Sequence, residues 1–240
     1  RICDMLGIDF PLLAFSHCRD VVAEVSKAGG FGVLGAAGLS TEQLETELSW
    51  IDAHVDGKPY GLDLIVPNKF AGKGEALSED AVLAALPQEH KDFVADLLRG
   101  RDVDLAGVDD ATRREMLGFN RNITPEGTRA MLDVAFAHPI KLIANALGIP
   151  PQPMIEMGKA KGVAVAALVG AKSHALRQMQ AGVDILIAAG GEAGGHCGSV
   201  STMVLVPEIC EAVAAQNGGV SITFANRQPF SVDLLWADGV

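Results

Sequence analysis

The sequence predicts an α/β fold built on a parallel sheet, and three observations support this. Its predicted strands, such as those at 31–34 and 163–169, are near-continuous hydrophobic runs, as is typical of strands buried on both faces. Strand and helix patterns alternate with a spacing of about 20–30 residues. The length of 240 residues suits one large domain. Together these features fit either a doubly wound sheet or a (β/α)8 barrel.

The sequence predicts six strands before residue 190 and a seventh at 220–224. An eighth is expected to begin only at 239–240. Gly29 and Gly30 end the first long helix, and Ser40 has the side chain of an N-cap for the next. The six clear strands are predicted at 11–15, 31–34, 60–66, 140–146, 163–169 and 185–189. The helices are predicted at 19–28, 41–55, 125–137, 151–161, 171–181 and 205–215.

Residues 1–240 are predicted to form a single domain. Two segments of it depart from the alternation of strands and helices. Residues 68–122 carry clustered charges and are interpreted as a helical, solvated insertion after the third strand. Residues 217–240 form a divergent C-terminal segment, so the fold is expected to be incomplete or irregular there. Arg1 stands where a start methionine would be, which suggests a piece of a longer chain.

Composition narrows the class of function. The formal charge is −11 and no basic run is present, which argues against binding of nucleic acid or an anionic membrane surface. Four widely spaced cysteines in a chain of this size argue against a disulfide-stabilised fold. Because their spacing lacks the CxxC pattern of zinc sites, we expect no metal. Since no apolar stretch approaches about 20 residues, a soluble cytoplasmic protein is expected.

The strongest local signal is a glycine-rich loop at 190–198, directly after a buried strand. Five of its nine residues are glycine, which lets backbone amides approach a ligand closely. Its single histidine, His196, has a side chain that can accept a proton near neutral pH. In a parallel barrel this loop would face the mouth where ligands bind. On this pattern alone, a solvated surface loop that contains a histidine fits the sequence as well.

Three stretches resemble the nitronate monooxygenase family, formerly called 2-nitropropane dioxygenases. They are residues 10–36 (FPLLAFSHCRDVVAEVSKAGGFGVLGA), 58–70 (KPYGLDLIVPNKF) and 162–213. The last contains Glu-Ala-Gly-Gly-His at 192–196, a motif that is also found in the flavin-dependent enoyl-acyl-carrier-protein reductases. The resemblance therefore covers most of the chain, apart from the insertion and the C-terminal segment.

This resemblance implies a TIM barrel that binds FMN at the C-terminal face of its strands. It implies that His196 is the catalytic base, which removes the α-proton of a nitroalkane. Oxidation of the nitronate with O2 would then give a carbonyl compound and nitrite. The expected partners are thus a small-molecule nitronate or nitroalkane and O2, and homo-oligomerisation stays open.

The resemblance also assigns a set of cofactor-binding positions. Asp63 stands where many members have a flavin-contacting Asn, and Ala189 stands where many have a Gln. Loss of that Gln would remove a polar contact of about 1 kcal/mol. The positions assigned to FMN are Ala14, Phe15, Ser16, Asp63, Ala189, Gly194 and Gly195.

Two alternatives follow from the same residues. One is an FMN-dependent enoyl-acyl-carrier-protein reductase, and the other is a degenerate, non-catalytic barrel. The second is suggested by 217–240, where the family's two phosphate-binding glycine loops are not matched. Among single residues, Glu192 could orient His196 or cap a turn. His54, His90, His138 and His174 are expected to be solvated.

Overall fold

The computed structural model describes residues 2–66, 86–101, 125–194, 197–214, 221–224 and 233–236. For 221–224 and 233–236 it describes the backbone alone. Within these ranges eight strands form one closed barrel in sequence order. The strands are β1 (Leu12–Ser16), β2 (Phe31–Gly35), β3 (Tyr60–Leu64), β4 (Leu142–Asn145), β5 (Ala164–Val169), β6 (Ile185–Ala188), β7 (Ser221–Phe224) and β8 (Asp233–Trp236).

Helices connect most of these strands, as the α/β pattern predicts. The helix after β2 begins with the expected cap: Ser40 accepts a hydrogen bond from the backbone N–H of Gln43, whose side chain bonds back to Ser40. Among the described residues, no helix combines the length and apolar character needed to span a bilayer. The helices are α1 (Ile2–Leu6), α2 (Arg19–Lys27), α3 (Thr41–His54), α4 (Gln88–Arg99), α5 (Pro125–Ala135), α6 (Gln152–Lys161), α7 (Lys172–Ala181) and α8 (Thr202–Ala214).

The barrel expected from the resemblance is confirmed, but its last strand corrects the sequence prediction. β1 to β7 pair in parallel, whereas β8 runs antiparallel to both β7 and β1. β8 lies at 233–236 and not at 239–240. Only residues 225–232 separate it from β7, and a parallel crossover needs a dozen or more residues. The short link therefore forces the chain to reverse direction, and the C-terminal segment is divergent as expected.

The interior of the barrel is filled at the end where the strands begin. Ile2 and Leu6 of α1 are buried there and pack in one cluster with inward-facing residues such as Leu13, Phe31 and Leu142. The Phe31 ring lies so close to Gly61 that a Cβ at that glycine would come within 2.7 Å of it. Large side chains thus close the lower end of the barrel.

The upper end, where the strands finish, is built from smaller residues. Side chains alternate along a strand, so Gly35 shares the inward face of β2 with Phe31, and Ala144 shares that of β4 with Leu142. Ala189, just past β6, follows the same alternation from Ile185. Because these residues are small, the barrel opens at the C-terminal ends of its strands.

Part of the predicted insertion is described, and it is helical as expected. α4 has no buried residue, and its Phe93, Val94 and Leu97 are exposed. The rest of 68–122 lies outside the described residues.

His138 corrects the expectation of a solvated histidine. Its side chain is only 8 % exposed, and its Nδ1 lies 2.7 Å from a carboxylate oxygen of Asp52. The other oxygen of Asp52 accepts a 2.6 Å hydrogen bond from the hydroxyl of Tyr60. Burial, with the hydrogen bond to Asp52, raises the pKa of Tyr60 well above its ordinary value. This network joins α3 to the start of β3, at the end of the barrel away from the mouth.

Candidate functional site

The barrel mouth brings together three of the positions expected to bind a flavin. Phe15, Asp63 and Ala189 each lie two or four residues beyond an inward-facing residue of their strand, so all three face the interior at its open end. Asp63 is 7 % exposed and Ala189 is 3 % exposed, whereas Phe15 is 41 % exposed. An aromatic face thus lies open at the mouth.

The two rings at the end of β1 are held in place by Gly35. The Nδ1 atom of His17 lies 2.8 Å from the carbonyl oxygen of Gly35, and the Phe15 and His17 rings meet edge to face with centroids 5.0 Å apart. A Cβ at Gly35 would lie 2.4 Å from Phe15 and 2.8 Å from His17. Because a carbonyl oxygen can only accept, Nδ1 of His17 is the donor in this hydrogen bond.

Ala14 and Ser16 alternate with Phe15 and so do not share its inward face. The hydroxyl of Ser16 accepts a 3.0 Å hydrogen bond from the backbone N–H of Cys18. This turn leads into α2 and fixes the backbone at the end of β1. Any role of Ala14 and Ser16 at the mouth therefore belongs to their backbone, as the resemblance implies.

The glycine-rich loop leaves β6 and returns to the barrel within a few residues. Gly191 N–H donates to the carbonyl of Val200 at 2.8 Å, and Gly198 N–H donates to that of Ala189 at 3.2 Å. These bonds fix both ends of the loop beside β6. Gly194 is half-buried within it. Gly195 and His196, the predicted base, lie outside the described residues.

Close backbone packing seats the loop against β5. A Cβ at Gly198 would lie 2.2 Å from the carbonyl oxygen of Gly170, and a Cβ at Gly170 would lie 2.9 Å from the backbone of Gly198. The two glycines therefore let the chain after β5 and the returning loop touch without side chains between them. The loop is consequently held at the mouth next to β5.

Glu192 caps α8. Its carboxylate accepts hydrogen bonds from the backbone N–H of Thr202 at 2.9 and 3.1 Å and from the Thr202 hydroxyl at 3.0 Å. A Cβ at Gly190 would collide with this pair, at 2.2 Å from the Thr202 hydroxyl oxygen. The hydrogen bond from the Thr202 backbone is the main cause that lowers the pKa of Glu192. Of the two roles weighed for Glu192, the structure shows the cap.

Replacing this carboxylate should loosen the start of α8. Because the folded state lowers the pKa of Glu192, its stabilising effect is present above the ordinary carboxyl pKa of about 4.3 and is lost as the pH falls through the lowered value. We expect Glu192→Gln to speed amide hydrogen exchange at Thr202 near neutral pH. We also expect the protection of that amide to change less with acid pH in the variant than in the wild type. Glu208→Gln, on an exposed residue of the same helix, is the control. Equal protection in both variants would contradict the cap.

A cavity of about 530 Å³ opens beside the loop, on the side of the mouth formed by β4, β5 and β6. Its walls are the chain after β4 at 146–149, the end of β5 at 168–170, one side of α7, and Ala189 with Cys197 and Gly198. Most of this lining is apolar. β5 lies across the eight-stranded barrel from β1, so the cavity is opposite the Phe15 and His17 rings.

Asn145, which the sequence analysis missed, holds the wall of this cavity. It is fully buried, and its amide group bonds both the N–H and the carbonyl of Val66 at 2.9 and 3.1 Å. The same side chain donates to the carbonyls of Leu147 at 3.0 Å and Gly148 at 3.2 Å. Gln178 of α7 donates to Gly148 at 2.9 Å. The signal that could have identified Asn145 in the sequence is a polar residue at the end of a buried strand.

The thiols of three cysteines are described as follows. Cys18 and Cys197 are exposed free thiols, and Cys210 has a pKa raised by burial. Within the described ranges, no three His, Cys, Asp or Glu side chains are grouped to hold a metal ion.

A closed barrel with helices between its parallel strands defines a TIM-barrel protein, and the ligand sites of this fold class lie at the carboxyl ends of the strands. The sequence profile of the nitronate monooxygenase family matches residues 4–223. The chain therefore belongs to the nitronate monooxygenase family, a group of flavin-dependent oxidoreductases.

Curated relatives support the same family. The chain is 46 % identical over 245 residues to a protein of Mycobacterium tuberculosis provisionally named monooxygenase Rv1533, covering 100 % of this chain and 64 % of that protein. It is 24 % identical to a probable nitronate monooxygenase of Staphylococcus saprophyticus, covering 89 % of this chain and 58 % of the relative. The chain thus spans less than two thirds of the length of these relatives.

Solved structures share the fold. A nitroalkane oxidase from Streptomyces ansochromogenes superposes with a TM-score of 0.68 at 20 % identity, over 93 % of this chain and 59 % of that one. FabK from Thermotoga maritima, as an M276A mutant, gives a TM-score of 0.63 at 21 % identity, over 94 % and 56 %. At these identities the likeness concerns the barrel architecture.

Proposed function

We propose that this chain is the barrel of an FMN-dependent enzyme that oxidises alkyl nitronates or nitroalkanes with O2 to carbonyl compounds and nitrite. The observation that carries this proposal is the Glu-Ala-Gly-Gly-His loop, whose two ends are fixed at the open mouth beside a cavity of about 530 Å³. Family membership supports the same chemistry.

The residues at the mouth suit a flat, largely apolar ring system. Small inward residues at Gly35, Ala144 and Ala189 leave space above the packed lower barrel. Phe15 offers an exposed aromatic face, and Asp63 adds a polar group on the same inward side. We therefore assign these strand ends, with the backbone at Ala14 and Ser16 and with Gly194 and Gly195, to FMN. FMN would supply the electron transfer to O2, which no side chain of this chain can perform.

In the proposed reaction His196 removes a proton from the carbon that bears the nitro group. The proton moves to the imidazole, and the substrate becomes a nitronate anion. A carbon acid needs a base that is unprotonated near neutral pH and held beside the α-carbon, which an imidazole on a short, glycine-anchored loop can provide. Substrate that enters already as a nitronate skips this step.

The alternative reading, an enoyl-acyl-carrier-protein reductase, is favoured by the Glu-Ala-Gly-Gly-His motif that both groups share and by the likeness to FabK, which concerns the fold. Nitronate chemistry agrees in addition with the family that matches residues 4–223. We therefore keep the reductase as an outcome of the test. The cytoplasmic location expected from the sequence stays a prediction, and homo-oligomerisation stays open.

The test measures nitrite release and O2 consumption by the FMN-supplemented protein with the nitronate of 2-nitropropane. We expect nitrite release together with O2 consumption, and little oxidation of NAD(P)H. Rapid anaerobic bleaching of the flavin by NADPH, without nitrite release, would instead indicate the reductase. A protein that binds FMN and does neither would overturn both readings and leave the non-catalytic barrel.

A further inference from the structure

Two rings at the end of β1 lie inside the barrel mouth. Leu13, Phe15 and His17 are spaced two residues apart, so they share the inward face of β1 and of the residue that follows it. A Cβ at Gly35 would lie 2.4 Å from a ring atom of Phe15 and 2.8 Å from Cε1 of His17. Both rings therefore occupy the inward side of Gly35, in space that a side chain of β2 would otherwise fill.

The backbone of β2 fixes which nitrogen of His17 faces the protein. Nδ1 donates to the carbonyl oxygen of Gly35 at 2.8 Å. The plane of the imidazole is set by Phe15, whose ring it meets at 82° with the two centroids 5.0 Å apart. A hydrogen bond from one ring nitrogen to a backbone carbonyl is a common way to orient a histidine that uses its other nitrogen on a ligand. The ring of His17 is thus oriented before any ligand enters.

The second ring nitrogen of His17, Nε2, is available to a ligand. His17 is exposed, and within the described ranges of the chain no group makes a hydrogen bond or ion pair with Nε2. His138 differs in this respect, because its two ring nitrogens face the carboxylates of Asp52 and Glu45. The imidazole of His17 therefore combines a fixed orientation with one nitrogen that is open to the mouth.

The groups beside this ring suit a flat molecule with a polar edge. Phe15 is 41 % exposed and offers aromatic surface. Asp63 is 7 % exposed and pairs in register with Gly35, so the sheet brings an imidazole, a carboxylate and an aromatic ring to one side of the mouth. A flavin ring has the matching character, since its pyrimidine edge carries N–H, C=O and ring-nitrogen atoms while its other end is a dimethylbenzene.

We propose that His17 binds the polar edge of the flavin ring through Nε2, a role that the resemblance did not give to this histidine. The neutral imidazole has its hydrogen on Nδ1, so Nε2 accepts a hydrogen bond from the ring N–H of the flavin. The protonated imidazole carries a hydrogen on Nε2 as well and donates to a carbonyl or ring nitrogen of the same edge. The inference rests on the proposed function for the identity of the flavin.

Two variants separate this role from a structural one, because each keeps the function of one ring nitrogen. In His17→Asn the side-chain amide can still donate to the carbonyl of Gly35, but it has no atom at the position of Nε2. In His17→Gln the longer amide reaches the position of Nε2 and gives up the bond to Gly35. Fluorescence titration of each protein measures the dissociation constants of FMN and of riboflavin, which carries the same ring without the phosphate.

We expect His17→Asn to weaken the binding of FMN about tenfold and His17→Gln to stay within about threefold of the wild type. Riboflavin should weaken by the same factor as FMN, because the lost contact is to the ring that both molecules share. A side chain that only held the end of β1 to β2 would give the opposite order, with His17→Gln the weaker binder. That order, or equal flavin affinities in the two variants, would overturn the inference.

A spectroscopic readout and a matched control accompany the titration. The absorption bands of bound FMN should shift in His17→Asn, whereas the urea midpoint of the flavin-free protein should stay at the wild-type value. His54→Asn makes the same substitution on an exposed histidine that stacks on Trp50, and it should change neither the bands nor the affinity. Unshifted bands with a lowered urea midpoint in His17→Asn would show a structural role and overturn the inference.

Nitrite release separates this inference from the proposed function. Nitrite release by the wild type, with a flavin affinity that does not depend on His17, would overturn the inference and keep the function. Flavin binding that depends on His17, without nitrite release from the nitronate of 2-nitropropane, would overturn the proposed reaction and keep the inference.

Discussion

His196→Asn should abolish most turnover of neutral nitroalkanes while turnover of pre-formed nitronates survives. Asparagine keeps a polar side chain of similar size but cannot accept the α-proton, and general-base catalysis contributes about 10²–10⁴-fold to a rate. A nitronate has already lost that proton, so its oxidation does not need the imidazole. We expect kcat/KM for the nitroalkane to fall by about that factor, measured as nitrite release.

Two controls make the result specific. The flavin absorption of the variant must match that of the wild type, which shows that the mouth still holds its cofactor. His54→Asn changes an exposed histidine that stacks on Trp50 at the C-terminal end of α3, away from the mouth, and should leave both activities unchanged. Nitroalkane turnover that survives in His196→Asn would remove the base assignment.

Asn145→Asp should cause the largest loss of stability among conservative changes near the mouth. The Asn145 amide nitrogen donates to the carbonyls of Val66, Leu147 and Gly148. A buried carboxylate of the same shape would face three carbonyl oxygens without a donor. We expect the free energy of unfolding to fall by about 3 kcal/mol or more at neutral pH, measured by urea denaturation.

The pH dependence provides a second, independent readout. Burial beside carbonyl oxygens raises the pKa of the introduced carboxyl above its unfolded value of about 3.9. The folded state then binds the extra proton, so the loss of stability is greatest above the raised pKa and shrinks as the pH falls towards the unfolded value. The protonated group can again donate one hydrogen bond.

Gln180→Glu is the matched control, because it makes the same amide-to-carboxyl change on an exposed residue of α7. Near the end of a helix, such a charge should cost under about 1 kcal/mol. If Asn145→Asp were as stable as this control, or if its loss of stability did not depend on pH, the hydrogen bonds of Asn145 would not be what holds the loops around the cavity together.

Periodicity and capping signals predicted most of the fold, because those signals are local. The buried run at 164–169 and the Ser40 cap each fix an element through its own residues and immediate neighbours. The prediction of an eighth strand at 239–240 was wrong, because it assumed a parallel strand. The direction of β8 depends on the short link to β7, and a short apolar run does not reveal which way it will pair. Long-range partners decide such cases.

The candidate site likewise has features that the sequence predicted and features that it missed. Phe15, Asp63 and Ala189 were found through the family resemblance, and their alternation along the strands then explains why they meet at the mouth. The partner of Glu192 and the contact between Gly170 and Gly198 depend on loops that touch in space and are distant along the sequence. The cavity beside α7 was missed for the same reason, since its walls come from three separate connections.

The measurement that tests the account most directly is the visible absorption spectrum of the purified protein after incubation with FMN and removal of unbound flavin. If the mouth bounded by Phe15, Asp63 and Ala189 is a flavin site, the protein will keep the two flavin absorption bands, and the flavin fluorescence will change on binding. A colourless protein, with FMN recovered entirely in the unbound fraction, would contradict the central claim.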